Sequence, residues 1–378
     1  MKVCIKRLKK AGQMKNKCDG CGALVQFKDR EKPGYIKSEV YYSNPDNFLC
    51  ERCYNLVHYN KNKKIVLNES EFKSNLNEIG QSNGLVVLVI DIVDIIGSFN
   101  LDYFKYFKSN DIILVFNKYD LIANYTSVGR IKTYLRNYLR NKDLKFKDLA
   151  IISKNNKYDI ERLINLVLKY KHERDIYFVG VSNVGKSSII NKIIEHYNIN
   201  ENNITVSNKL GTTLDFIKIP LLDKTYLFDT PGIINKKQAT YYLTSEDDIN
   251  IVIPNNILKP RIYQINRDTA LMFGRFGYLK FIDFKGSVVF YINNLLPIHK
   301  TNILKADDLY NKGSFDLLKV PNETSDHEYG KLKEMFFEIY GEKDISVSGL
   351  GFIKIKGEGK IKLLLKETID YEERDVMI

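Results

Sequence analysis

Four stretches of this chain carry residue types and spacings that could do chemistry. Gly180-Val181-Ser182-Asn183-Val184-Gly185-Lys186-Ser187-Ser188 contains the pattern G-x-x-x-x-G-K-[ST]. It follows the apolar run Tyr177-Phe178-Val179 and opens a helical pattern, the setting in which backbone N–H groups wrap phosphates. Lys186 then reaches the β- and γ-phosphates, and Ser187 offers its hydroxyl to Mg2+. Downstream, Asp229-Thr230-Pro231-Gly232 ends a second apolar run. Asp229 is expected to hold Mg2+ from the other side, and the Gly232 amide to sense the γ-phosphate. Between the two lies Gly211-Thr212-Thr213. Thr213, preferred over Thr212, would ligate Mg2+ once a triphosphate orders its loop; a capping or turn role is the other reading. Asn117-Lys118-Tyr119-Asp120 follows the run Ile113-Leu114-Val115-Phe116. Asp120 can accept from guanine N1–H and the 2-amino group, donors that adenine lacks, which selects GTP. The Lys118 stem can lie on the base, Asn117 can tie this loop to the phosphate loop, and Ser153-Lys154 can back the base through main-chain N–H groups.

The fourth stretch is metal chemistry. Cys18-x2-Cys21 and Cys50-x2-Cys53 are two pairs suited to one tetrahedral zinc. Four thiolates leave no open position, so the ion would be structural. A redox role fits less well, because the pairs flank a polar loop. Cys4 is left over, and His58 reads as a surface or RNA-facing residue rather than a ligand.

The elements that must position these groups alternate. Residues 84–94, 111–121, 149–153 and 176–182 contain short Val/Ile/Leu runs that read as buried parallel strands. Residues 127–141 and 158–173 have helical spacing. Strand–helix alternation predicts a doubly wound α/β domain, closing with alternating strands before residue 240. After about residue 250 the pattern is β-rich, with one helix expected at 326–342 and hairpin strands with glycine turns at 345–367. The expected fold is therefore a mostly parallel α/β nucleotide-binding domain at 68–245. An N-terminal basic tail and Cys4 zinc module precede it at 1–67, and a β-rich α+β domain follows at 246–378.

The chain has 378 residues, of which 58 are basic and 46 acidic, a net charge of +12. Residues 1–70 hold 15 basic and 7 acidic side chains. That concentration predicts a polyanionic partner, RNA in preference to a merely solvated lysine-rich face. No apolar run is long enough to span a membrane, and the basic N-terminus lacks an apolar signal core. Five cysteines without a disulfide framework predict a reducing, cytoplasmic setting, bacterial or organellar.

The order of motifs is unusual. NKYD at 117 and ISK at 153 precede the phosphate loop at 180, whereas common P-loop GTPases run the other way. The chain reads as circularly permuted, so DTPG leads straight into the C-terminal region. With its cysteine pairs, NKYD, ISK, GVSNVGKSS, GTTLD, DTPGII and the late segment ISVSGLGFIKI, the chain resembles the YqeH family of circularly permuted GTPases. That resemblance covers residues 18–365. It implies a P-loop GTPase that assembles the small ribosomal subunit, in contact with rRNA, and a monomer. Lys154 stands where the family usually has Ala.

Two further residues bear on rate. Ile233 stands where Ras-like proteins carry a water-orienting glutamine, which implies slow intrinsic hydrolysis. Gln238 is further along the chain and is not assumed to replace it. Asn183 resembles the K+-coordinating asparagine of cation-dependent GTPases, so K+ could stand in for an arginine finger; a loop-shaping role is the other reading. Two rival functions remain: a nucleotide-dependent RNA-binding module with little turnover, and a GTPase of tRNA or nitric-oxide-related metabolism. No modification or haem-binding features favour the last.

Overall fold

The computed structural model describes residues 16–18, 24–30, 34–43, 48–51, 69–142, 144–197, 205–207, 216–221, 223–266, 268–312 and 315–378. Cys4, Cys21, Cys53, His58, Gly211, Thr212 and Thr213 lie outside them. The nucleotide-binding part is one sheet. Its strands are β1 (Leu85–Asp91), β2 (Ile112–Asn117), β3 (Asp148–Ile151), β4 (Ile176–Val179), β5 (Thr205–Ser207), β6 (Phe216–Pro220) and β7 (Tyr226–Asp229). They lie in the order β3-β2-β1-β4-β7-β6-β5. All neighbours from β3 to β7 are parallel, and the β7-β6-β5 edge is antiparallel. Every residue of β1 and β2 is buried. Burial of both faces explains why these strands read as unbroken apolar runs rather than alternating ones.

The two predicted helices form at Val128–Arg140 and Lys157–Lys171. Ser127 caps the first by accepting from Arg130 N–H at 3.3 Å, and Asn156 caps the second by accepting from Tyr158 N–H at 3.0 Å. A third helix, Lys186–Tyr197, starts inside the phosphate loop.

The second sheet comprises β8 (Arg261–Ile265), β9 (Thr269–Phe273), β10 (Gly277–Ile292), β11 (Ile298–Asn302), β12 (Leu332–Val347), β13 (Gly351–Lys366) and β14 (Tyr371–Arg374). The order is β11-β9-β10-β13-β12-β14, with β8 also on β10. All pairings are antiparallel.

Here the structure corrects the expected helix at 326–342. Only short helical turns occur, at Glu323–Asp326 and His327–Tyr329, and residues 332–347 are strand. Met335, Phe336, Ile339 and Tyr340 have helical spacing, but Phe337, Ile339 and later residues also alternate. Pairing with β13 along sixteen residues decides in favour of the strand. The hairpin turns at 348–350. Gly357 and Gly359 therefore sit within β13 rather than at turns. A Cβ on Gly357 would lie 2.3 Å from the Lys285 carbonyl oxygen, so the close approach of β10 requires glycine there.

The two sheets share a seam. Ala239 N–H donates to the Ser348 carbonyl at 2.9 Å, and Asp370 N–H to the Lys237 carbonyl at 3.1 Å. The Tyr138 hydroxyl and Lys142 Nζ both donate to Glu372, at 2.9 and 3.0 Å. The segment after β7 therefore passes directly from the nucleotide sheet onto the tip of the β12–β13 hairpin.

Candidate functional site

The loops at the C-terminal ends of β4, β7, β2 and β3 converge, the usual position for a ligand in an open α/β sheet. After β4 the chain folds over itself. Gly185 has φ +94°, and a Cβ there would lie 2.4 Å from Asn117 Nδ2, so only glycine fits. Asn183 is also left-handed, with φ +67°, a conformation asparagine tolerates. It therefore does shape the loop. Lys186 is buried and donates through Nζ to the Gly180 carbonyl at 3.2 Å. Burial lowers its pKa, and Asp229 opposes that shift.

Beyond β7, the DTPG segment returns to this loop. The Ser187 hydroxyl donates to Asp229 Oδ2 at 2.7 Å. Asp229 Oδ1 is buried and has no hydrogen-bond partner among the described residues. Burial raises the Asp229 pKa, countered by Lys186 and by the Ser187 hydroxyl. An orphaned carboxylate oxygen beside a P-loop serine fits a divalent cation, so Ser187 and Asp229 can hold Mg2+. Ile233 N–H donates to the Gly180 carbonyl at 3.0 Å, and Ser182 N–H to the Ile233 carbonyl at 3.1 Å. A Cβ on Gly232 would lie 2.6 Å from Ser182 Oγ, so the two loops abut. The Ile233 side chain is 1% exposed and packs in the core.

Asn117, at the end of β2, crosses to the phosphate loop. Its Nδ2 donates to the Val184 carbonyl at 2.8 Å, as the sequence led one to expect, and its Oδ1 has no partner among the described residues. Lys118 is left-handed, with φ +67°. Its ammonium donates to Asp91 Oδ2 at 2.6 Å, which anchors the head of the side chain. Asp91 was not singled out from the sequence, and only its place at the end of a buried strand could have marked it. Asp120 Oδ2 accepts from Asn155 Nδ2 at 3.1 Å. Asn155, also missed, belongs to the Ser153–Lys154 loop. There Ser153 N–H donates to Asp159 Oδ2 at 3.0 Å, and Tyr119 N–H donates to the Ile152 carbonyl at 3.1 Å. Lys154 itself is exposed, while Val184 is buried and Ser188 half-buried. The structure thus joins Asn117 to the phosphate loop, Ser187 to Asp229 and Asp120 to Asn155, while no contact among the described residues places Lys154 or Ser188 at the site.

At the N-terminus, Cys18 and Cys50 come together across 32 residues. Cys50 N–H donates to Cys18 Sγ at 3.1 Å, and both are buried among Ile36, Tyr41 and Phe48. A sulfur that accepts a backbone N–H fits a thiolate in a metal knuckle, so the donor set suits zinc. Among the described residues there is no group of three or more metal-ligating side chains. Cys21 and Cys53 lie outside that set.

Comparison with known proteins is consistent with this geometry. A family model described as "YqeH-like, C-terminal" matches residues 285–375, and one described as "50S ribosome-binding GTPase" matches residues 175–269. The second match begins at β4 and leaves out the NKYD half, as a permuted order requires. YqeH of Bacillus subtilis is 34% identical over 345 residues, covering 91% of this chain and 93% of the relative. A rice protein named "Putative nitric oxide synthase" is 26% identical, covering 95% of this chain and 73% of the relative. "Small ribosomal subunit biogenesis GTPase RsgA" of Clostridium botulinum is 32% identical over 135 residues, covering 33% of this chain and 46% of the relative.

Proposed function

The chain belongs to the YqeH family of GTPases, and from that premise we propose that it binds and hydrolyses GTP as an assembly factor of the small ribosomal subunit. The observation that carries the nucleotide reading is the Asn117–Val184 hydrogen bond, which joins the base loop to the phosphate loop across 67 residues. In this reading Asp120 reads guanine, backed by the Ser153–Lys154 loop. Lys186 and the amides of the 180–188 loop hold the phosphates, and Gly232 lies at the γ end. Mg2+ is held by Ser187, Asp229 and Thr213. Hydrolysis is slow, because Ile233 has no polar group and is buried away from the site. Asn183 contributes to a K+ site beside the phosphates.

The name of RsgA supports a small-subunit role, whereas the family model's description names the 50S subunit. The basic residues 1–70 suit rRNA. Among the described residues no helix is long and apolar enough to cross a membrane; in this reading the factor acts in the cytoplasm as a monomer. Sedimentation of the full chain with each ribosomal subunit, under a GTP analogue, GDP or no nucleotide, tests this. Nucleotide-dependent cosedimentation with the small subunit is expected; cosedimentation with the large subunit alone would reject the assignment. Multiple-turnover GTP hydrolysis with subunits separates the enzyme from a binding module with little turnover.

The four cysteines hold one structural zinc in this reading. Metal analysis should return about one zinc per chain, and Cys50→Ser should lose it while GTP binding survives. A folded, zinc-free N-terminal module would reject the site.

A further inference from the structure

The segment after DTPG leaves the phosphate loop and then returns to it. Ile233 is latched to Gly180 and Ser182 by its backbone, while its side chain is buried. Five residues later Gln238 Nε2 donates to Asp94 Oδ2 at 2.9 Å. Gln238 and Asp94 share a cavity of about 30 Å3 with Ser182 and Asn183 of the phosphate loop. That space admits one or two waters. Gly232, assigned above to the γ end, abuts Ser182 on one wall of this cavity, and Lys118 of the base loop lines another part of it.

Asp94 controls how that amide is turned. A carboxylate only accepts hydrogen bonds, so Gln238 must present its NH2 group to it and turn Oε1 the other way. Among the described residues no donor is bonded to Oε1. Asp94 is itself fixed, because its Oδ1 accepts from Gly97 N–H at 3.0 Å and caps the short helix Ile95–Ser98. Burial and the neighbouring charge of Asp91 push its carboxyl up to about 6, so it is ionised at neutral pH. The hairpin tip braces the other side. A Cβ on Gly349, which has φ +83°, would lie 3.2 Å from Gln238 Cβ and 2.7 Å from Ala239 N.

We propose that Gln238 orients the attacking water in GTP hydrolysis, and that Asp94 is the positioning residue that fixes its amide. This rests on the GTPase reading above. Oε1 accepts a hydrogen bond from the water. The water oxygen forms a bond to the γ-phosphorus as the bond to the β–γ bridging oxygen breaks. That electron pair leaves on GDP, and the water proton passes to the released phosphate. The hairpin tip of the C-terminal sheet is thereby part of the wall that holds the glutamine.

The test uses the full chain, with single-turnover hydrolysis of GTP and binding of a fluorescent GTP analogue measured in parallel. Gln238→Ala should slow hydrolysis about 10- to 100-fold while affinity stays within about twofold. Gln238→Glu keeps the size but cannot donate to Asp94, and should lose rate as well. Asp94→Ala should slow hydrolysis at unchanged affinity, and so should Asp94→Asn, whose one acceptor oxygen cannot take both Gly97 N–H and Gln238 Nε2. Gln238→Ala with the parent's rate would overturn the proposal, and so would a loss of rate matched by a loss of affinity. A parent chain that neither binds nor hydrolyses GTP removes the underlying reading instead, a result distinct from an active parent with an indifferent glutamine.

Discussion

The two sheets treat their buried polar groups in opposite ways. In the nucleotide sheet the strands are apolar throughout, and polar atoms without partners occur at strand ends, Asn117 Oδ1 and Asp229 Oδ1. In the C-terminal sheet a buried ion pair lies at the seam. Asp344 is 0% exposed and Arg374 5%; their charged groups are 3.9 Å apart, and the guanidinium lies over the Phe352 and Tyr134 rings. The first arrangement leaves acceptors for a ligand or a cation to satisfy. The second uses a desolvated pair to fix how one sheet sits on the other. An unpaired buried acceptor beside the phosphate loop is thus a sign of binding, whereas a buried ion pair at a seam is a sign of registration.

The largest effect should come from the ligand side. Losing two hydrogen bonds to a charged group costs about 3–6 kcal/mol, so Asp120→Asn should weaken GTP binding strongly and favour xanthosine triphosphate. Thermal unfolding of the empty chain should be unaltered. Unchanged GTP affinity would break the comparison at its first half.

Next is the seam. Arg374→Ala takes the ion-pair partner from buried Asp344 and leaves it only the Met377 N–H at 3.1 Å, a loss of up to about 3–5 kcal/mol. Chemical denaturation should show that loss, with the GTP affinity of the folded protein little changed. A loss confined to nucleotide affinity would reverse the roles of the two sheets.

The seam should also carry a pH signature. Burial pushes the Asp344 carboxyl up to about 6 despite Arg374. The folded state therefore holds a proton that the unfolded chain has released. The stability this contributes is full below the unfolded value near 4 and is lost as pH rises through about 6, up to about 3 kcal/mol for a shift of two units. Asp344→Asn should flatten the denaturation midpoint over that window. An identical slope in the variant would remove Asp344 as the cause.

The smallest effect concerns Asn183. A tenfold faster hydrolysis in K+ than in Na+ corresponds to about 1.4 kcal/mol. Asn183→Ala should abolish the difference. Equal rates in the unmodified chain would leave Asn183 with only its left-handed loop position.

The same contrast explains what the sequence revealed. β1, β2, β3 and β4 were legible because buried parallel strands are continuous apolar runs, and the nucleotide loops because each motif is local. The strand 332–347 was not, since its spacing suits either element and only pairing with 351–366, formed after a turn, decides between them. Asp91, Asn155 and the Asp94–Gln238 pair were equally hidden. Each acts on a residue that the fold brings near from elsewhere in the chain.

The permuted sheet has a consequence for synthesis. β1 lies between β2 and β4, so the guanine-reading half is translated while one flank of its central strand has no neighbour. The phosphate loop and Asp229 leave the ribosome later. Nucleotide therefore cannot stabilise this domain during the first half of its translation. Until β4 emerges, the nascent chain carries an open apolar strand edge that the translating ribosome or a chaperone must shield.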